Sequence, residues 1–249
     1  MLSRGRKILF ALAAVGVLGA MAFKEMTPKQ QGSCLQIFFD PEGEAQVQSG
    51  RAFAVALQRL LSPYEGVLIH KAPIDLYRRG MIGLCDKNIY IGTHFDHRVP
   101  RVFVEDFMNA RGSVAWFGYN IWQMGPRLET DLGLRFLRSA RPDARGFFDE
   151  IVYEGGTFKK SRDNRVYEQV ELLPADVSKF VTLAESRNSR TRELVPYIVR
   201  SKNRFYIADI PEIENSGGHV SLMLAEVMAH FMEEATHSKP KPKFIAATE

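Results

Sequence analysis

This 249-residue sequence contains three short apolar segments that are each followed by side chains of the kinds that bind sugars, six residues in all. They are Asp40, His94, Asp96, Tyr119, Asn120 and Trp122. Aromatic faces stack on the C–H faces of sugars, while aspartate and asparagine side chains hydrogen-bond to hydroxyl groups. We therefore predict these six as candidate ligand-binding residues. A structural role is also open, in which Trp122 packs beneath a loop and Asn120 caps a short helix.

Metal and nucleophile chemistry have weaker support in the sequence. Four side chains are of kinds that can coordinate a metal ion, namely those of Asp40, His94, Asp96 and His97. A His-x-x-His pair in a predicted loop is common by chance, so we predict no metal and no cofactor. Cys85 precedes a predicted strand, whereas the nucleophile of an amidotransferase-like enzyme would follow one. The sequence has no Gly-x-Ser-x-Gly motif and no phosphate-binding Gly-x-x-x-x-Gly-Lys motif, and we predict no catalytic residue.

In the first half of the chain, short apolar runs alternate with amphipathic segments. This order predicts the strands and helices that would position the candidate residues. Strands are predicted at residues 35–39, 66–70, 87–92 and 113–118. Helices are predicted at residues 49–61 and between Pro100 and Gly112. This order implies a doubly wound, mostly parallel α/β sheet, either flavodoxin-like or amidotransferase-like. Because ligands bind outside the carboxyl ends of such strands, we expect the candidate residues to meet at that edge.

The second half of the chain has a different pattern. From about residue 150, closely spaced extended runs with turn residues between them predict a β-rich section. Apolar residues at helical spacing from Val220 to Phe231 then predict a final amphipathic helix. We therefore expect one α/β domain over residues 35–237, followed by a flexible tail at 238–249 that contains two prolines.

The amino terminus has the features of an export signal. Three cations precede an uncharged apolar run, and Ala20-Met21-Ala22 fits a cleavage site. We interpret residues 1–22 as a signal peptide or an uncleaved membrane anchor, followed by a linker at 23–34. Both alternatives predict a periplasmic or secreted protein, with membrane contact only through this segment if it stays uncleaved. The formal net charge of +4 includes the three cations, so a cleaved chain would be nearly neutral. We therefore expect no nucleic-acid partner.

Cys34 and Cys85 are the only cysteines in the sequence. An oxidising compartment would allow them to form one disulfide. Each lies close to the start of a predicted strand, so proximity is plausible, but the sequence alone leaves the pairing open.

Three segments together resemble a known but uncharacterised bacterial family. They are the segment from Tyr90 to Asp96 followed by Val99-Pro100, the segment from Val114 to Gln123, and the segment from Asn203 to Pro211. These segments resemble the amino-terminal domain of the YdaL-type, polysaccharide-deacetylase-like proteins. Members of that family usually continue into a deacetylase barrel that carries the metal chemistry. The sequence lacks the Asp-Asp pair of such a barrel, so the resemblance implies the accessory domain rather than the enzyme domain.

The resemblance implies an exported accessory or binding domain that is associated with extracellular polysaccharide modification. The expected partner is a polysaccharide or a separate deacetylase chain. The sequence favours a domain that is non-catalytic on its own without deciding the question. The alternatives are a cell-envelope carbohydrate hydrolase or deacetylase-related enzyme that uses the strand-end residues, and a protein-interaction module.

Overall fold

The computed structural model describes residues 34–41, 50–62, 66–140, 148–160, 169–210 and 219–233. The predicted signal or anchor and the predicted tail lie outside the described residues, as does the linker except for Cys34. Strands of the described part are β1 Cys34–Phe39, β2 Leu68–Pro73, β3 Lys87–Gly92, β4 Ser113–Gly118, β5 Leu134–Ala140, β6 Glu150–Tyr153, β7 Gly156–Lys159, β8 Gln169–Pro174, β9 Val181–Arg187, β10 Leu194–Ser201 and β11 Arg204–Ile207. Its α-helices are α1 Gly50–Leu61, α2 Arg101–Met108, α3 Pro126–Leu132 and α4 His219–Glu233. Short 3₁₀ helices lie at Ile74–Leu76, Met81–Leu84 and Ile121–Met124.

Nine of these strands form one sheet in the order β2-β1-β3-β4-β11-β10-β9-β6-β7. The first five strands in this order are parallel, and the remaining pairs are antiparallel. Every residue of the central strands β3 and β4 is buried, as expected for parallel strands covered on both faces. The predicted α/β class is confirmed, in the form of a large mixed sheet beside the small β5–β8 sheet.

The predicted second strand is displaced along the chain. We expected it at residues 66–70, but β2 runs from Leu68 to Pro73. It pairs only with β1 and lies at the edge of the sheet, where several of its side chains are exposed. An edge strand buries little surface, so its apolar pattern marks its bounds poorly. The shift carries Asp75, rather than His70, to the end of this strand.

The main core packs aromatic side chains against one face of the parallel strands. Trp116 of β4 is fully buried, and its ring contacts Tyr90, Phe103 and Phe107 edge-on or tilted, with centroids 4.5–5.9 Å apart. Phe103 and Phe107 belong to α2, and both are buried. The apolar side of this amphipathic helix therefore faces the core.

Cys34 and Cys85 form a disulfide with their Cα atoms 5.0 Å apart. Cys34 is the first residue of β1, and Cys85 precedes the neighbouring strand β3. The bond therefore joins two adjacent parallel strands at their amino-terminal ends. No helix in the described ranges is both long enough and apolar enough to cross a bilayer.

Candidate functional site

The site begins with a buried carboxylate at the end of β1. Asp40 has no exposed surface, and its carboxylate accepts hydrogen bonds from the Tyr90 hydroxyl at 2.7 Å and the backbone N–H groups of Thr93 and His94 at 2.9 and 3.1 Å. Burial raises the pKa of Asp40 above its ordinary value, although these hydrogen bonds and the nearby His97 act in the opposite direction. Asp40 thus holds the start of the loop that follows β3.

Asn120 holds the same loop from the side of β4. Its fully buried side-chain amide lies 3.0 Å from the His94 carbonyl oxygen, 3.1 Å from the Tyr90 hydroxyl and 3.4 Å from an Asp40 carboxylate oxygen. Asn120 precedes the 3₁₀ helix Ile121–Met124, but its side chain makes no capping bond to that helix. Its side chain therefore links two strand ends, and its backbone has a positive φ of 72°.

Two glycines let the ends of β3 and β4 approach closely. A Cβ at Gly92 would lie 2.5 Å from the Tyr119 carbonyl oxygen, and a Cβ at Gly118 would lie 2.7 Å from the Gly92 oxygen. Gly118 also has a φ of +68°, which side chains disfavour. The Tyr119 N–H then donates to the Gly92 oxygen at 3.0 Å. The turn after β4 is therefore packed directly on the loop after β3.

An aromatic and acidic surface lies above this buried network. We call it the rim patch, formed by Phe95, Asp96 and Trp122. The Trp122 indole N–H donates to the Asp96 carboxylate at 3.0 Å, and its ring lies 5.1 Å from the ring of Phe95. The ring of Phe136 in β5 lies 4.9 Å from the Trp122 ring and supports it. Tyr119 is buried, and its ring packs against Phe95. Phe95 remains 39% exposed and Trp122 is half-buried, so the patch presents aromatic surface to solvent.

A histidine–aspartate pair lies beside the rim patch. The His97 Nε2 atom is 2.8 Å from an Asp75 carboxylate oxygen and 4.0 Å from an Asp40 oxygen. Gln123 fixes this end of the loop, because its amide donates to the His97 carbonyl and accepts from the Val99 N–H. Two titratable groups are thus within hydrogen-bond reach at the carboxyl edge.

The expected meeting of residues at the carboxyl edge is confirmed. Asp40 and Asn120 share hydrogen-bond partners in the loop that contains His94, and Asp96 is bonded to Trp122. The six candidates nevertheless fall into two layers. Asp40, Tyr119 and Asn120 are buried, His94 and Trp122 are half-buried, and Asp96 is exposed. Their role in ligand binding stays a prediction, in which the buried members position the exposed ones.

Sequence reasoning missed several members of the site. Tyr90 lies within a continuous apolar strand. A tyrosine in such a strand has a buried hydroxyl that needs a hydrogen-bond partner, and this need is the sequence signal that indicates a polar site nearby. Asp75 was hidden by the misplaced second strand, and no sequence signal indicates Gln123. The described residues contain no group of three or more histidine, cysteine, aspartate or glutamate side chains arranged to hold a metal ion.

A second buried polar cluster lies at the end of β11. The Lys160 ammonium donates to Asp209 at 2.9 Å and to the Gln169 amide oxygen at 2.6 Å, and it lies 4.7 Å from the centre of the Tyr197 ring. The side chains of Lys160 and Asp209 are each 2% exposed. In the sequence Lys160 belongs to the basic run Lys159-Lys160-Ser161-Arg162, a pattern that predicts a solvated turn. That prediction is wrong for Lys160, because this lysine is buried and neutralises a buried aspartate.

No family model matches this sequence, and no curated protein matches it. Among solved structures, the chain is similar to a ThuA-like protein from Bacteroides uniformis ATCC 8492, with a TM-score of 0.52, 13% identity, and coverage of 81% of this chain and 91% of that chain. It is also similar to the exo-β-1,4-mannosidase Op5Man5 from Opitutaceae bacterium strain TAV5, with a TM-score of 0.47 and 9% identity over 89% of this chain and 37% of that one. The chain therefore spans little more than a third of the mannosidase. The ThuA-like structure is consistent with the α/β fold and carries no further argument.

Proposed function

We propose that this chain is an exported polysaccharide-binding domain that is accessory to extracellular polysaccharide modification and non-catalytic on its own. The rim patch carries this proposal, because it combines exposed aromatic surface with a carboxylate that is oriented by an indole hydrogen bond. The resemblance to the YdaL-type family supports the same proposal. The partner is a polysaccharide or a separate deacetylase chain. The location is the periplasm or the exterior, with anchoring if the amino-terminal segment is uncleaved.

We further propose that the sheet is doubly wound in the flavodoxin-like manner rather than in another α/β arrangement. The order β2-β1-β3-β4-β11 of its parallel part supports this assignment. In that topology the strand order reverses between β1 and β3, and ligands bind outside the carboxyl ends at this point. Asp40 follows β1 and the loop with Phe95 and Asp96 follows β3, so this loop of the rim patch borders the favoured point. Trp122 joins the loop from the end of β4.

Replacement of Trp122 by alanine tests the proposal. We expect binding of N-acetylglucosamine oligosaccharides, offered in acetylated and deacetylated forms and measured by calorimetry, to weaken about fivefold or more, because a central stacking aromatic contributes about 1 kcal/mol or more. Leu68→Ala is the control, since Leu68 is 54% exposed and begins β2 at the opposite, amino-terminal edge of the sheet. Unchanged binding in a stable Trp122→Ala variant would remove this residue from the site. A loss of roughly 3–5 kcal/mol of stability would instead make it a packing residue.

The contact between His97 and Asp75 favours a second candidate, a hydrolase of cell-envelope carbohydrate. A histidine oriented by a carboxylate can act as a general base or acid, which contributes roughly 10²–10⁴-fold to a rate. The two candidates differ in turnover. Release of reducing ends or acetate by the wild-type chain, together with its loss in His97→Gln, would replace the accessory role with the enzymatic one.

A further inference from the structure

A concave surface lies at the opposite, amino-terminal edge of the sheet, where β11 begins. It has a volume of about 660 Å³ and is bounded by the end of α3, the β8–β9 connection and the β10–β11 turn. Four of its lining residues are cationic and one is acidic, so we call it the basic groove. The cations are Lys179, Arg200, Lys202 and Arg204, and the acid is Asp131. This excess of positive charge is local, because the formal net charge of the whole sequence is only +4.

Two of the cations make no salt bridge in the described part of the chain. Within the described ranges, no carboxylate makes a salt bridge to Lys202 or Arg204. The Arg204 guanidinium donates instead to the Asn203 side-chain oxygen and the Met108 carbonyl oxygen, which are uncharged. Lys179 differs, since it pairs with Asp176 at 3.3 Å. Arg204 also interacts electrostatically with Asp131, which itself pairs with Arg127 at 2.8 Å. An anionic ligand would therefore neutralise Lys202 and add to the partial neutralisation of Arg204.

Lys202 has a backbone conformation that is unusual for a lysine. It is the first residue of the two-residue turn between the paired residues Ser201 and Arg204, and its φ is 55°. Glycine adopts positive φ without the steric cost that a side chain pays. Two-residue hairpin turns require positive φ, and this turn holds the exposed lysine at the mouth of the basic groove.

We propose that the basic groove binds a carboxylate-bearing polysaccharide, such as a uronic-acid chain. Sugar carboxylates would pair with Lys202 and Arg204, while a sugar ring would pack on Val181, which is 55% exposed at the same groove. A second groove of about 960 Å³ shares Lys202 with the basic groove, so a polymer has room to continue past this lysine. The lining of the second groove is balanced in charge, with Asp86 and Asp106 beside Arg111 and Lys202, so the anionic sugars would bind in the basic groove. The choice of a sugar polymer over other polyanions rests on the proposed function.

Lys202→Gly tests this proposal without threatening the fold, because it removes the charge and relieves the positive φ. The matched control is Arg192→Gly, which removes one exposed cation at a φ of 65° from the turn at the far end of β10. Oligogalacturonate is the probe, with neutral dextran oligosaccharides and poly-glutamate for comparison. At low salt we expect Lys202→Gly to weaken oligogalacturonate binding about three- to tenfold, with a smaller effect at high salt, and Arg192→Gly to leave it unchanged.

Each alternative outcome overturns one of the two proposed binding sites or the assignment of a sugar ligand. Equal loss in both glycine variants, or no loss in Lys202→Gly, overturns the basic groove as the binding site. Tighter binding of poly-glutamate than of oligogalacturonate indicates an acidic protein segment and overturns the sugar assignment. Binding of neutral oligosaccharides through Trp122 with no effect at Lys202 overturns the groove alone. Binding through Lys202 with no effect at Trp122 overturns the rim patch alone.

Discussion

Lys160→Met should lower the free energy of unfolding by about 3–5 kcal/mol, because it leaves a buried carboxylate without its cation. Methionine has nearly the shape of lysine, so the variant removes the charge with little change in volume. Asp209 would keep its hydrogen bond from the Ile210 N–H at 2.7 Å but would lose the ammonium at 2.9 Å. Urea denaturation monitored by circular dichroism measures this loss.

A second substitution should recover most of the lost stability. In Lys160→Met/Asp209→Asn the buried charge is gone, while the asparagine oxygen can still accept from the Ile210 N–H. We expect this double variant to unfold within about 1–2 kcal/mol of the wild type, because neutral replacement of a buried ion pair is often tolerated. A loss below about 1 kcal/mol in the single variant, or no recovery in the double variant, would contradict the assigned pairing.

Asp40→Ala should cost about 3–5 kcal/mol of stability, since it leaves several buried donors without an acceptor at once. The donors are the Tyr90 hydroxyl and the N–H groups of Thr93 and His94, whereas the Asn120 amide keeps the His94 carbonyl oxygen as an acceptor. The loop that carries Phe95 and Asp96 would lose its anchor, so glycan binding should weaken as well. Asp40→Asn is the milder control because it keeps an acceptor oxygen. Equal stability of wild type and Asp40→Ala would show that this network does not hold the loop.

The pH dependence of stability provides an independent check on Asp40. Burial raises its pKa above the ordinary value of 3.8, so the folded state binds a proton more tightly than the unfolded state does. As the pH rises from 3.8 through the raised value, the folded state retains a proton that the unfolded state has released, and stability falls. We therefore expect the stability difference between wild type and Asp40→Asn to decrease across this window. A difference that increases with pH would contradict the sign of the shift.

The meeting of residues at the carboxyl edge could be predicted because parallel strands deliver their following residues to one side of a sheet. Asp40, His94 and Asn120 come close together for that reason alone. Their division into buried and exposed layers could not be predicted, since it depends on how closely Gly92 and Gly118 let two loops pack. The sequence shows which residues leave a strand, but it does not show which of them another loop will cover.

Long-range pairing explains the other differences between prediction and structure. Lys160 belongs to a basic run, and only the fold brings Asp209 to it from 49 residues away. The β-rich section was predicted, but strands β6, β7, β9, β10 and β11 extend the parallel sheet. Local patterns indicate strands and turns, whereas the choice of sheet partner depends on contacts between distant segments.

The indole N–H signals of the two tryptophans provide the most direct test of glycan binding at the rim patch. Trp116 is fully buried and donates to the Tyr119 carbonyl oxygen, while Trp122 is half-buried and donates to Asp96. Titration with N-acetylglucosamine oligosaccharides, followed by heteronuclear NMR, reports both sites in one spectrum. We predict that the Trp122 signal shifts in a saturable manner and the Trp116 signal stays in place. Saturable binding that leaves the Trp122 signal unmoved would contradict this prediction.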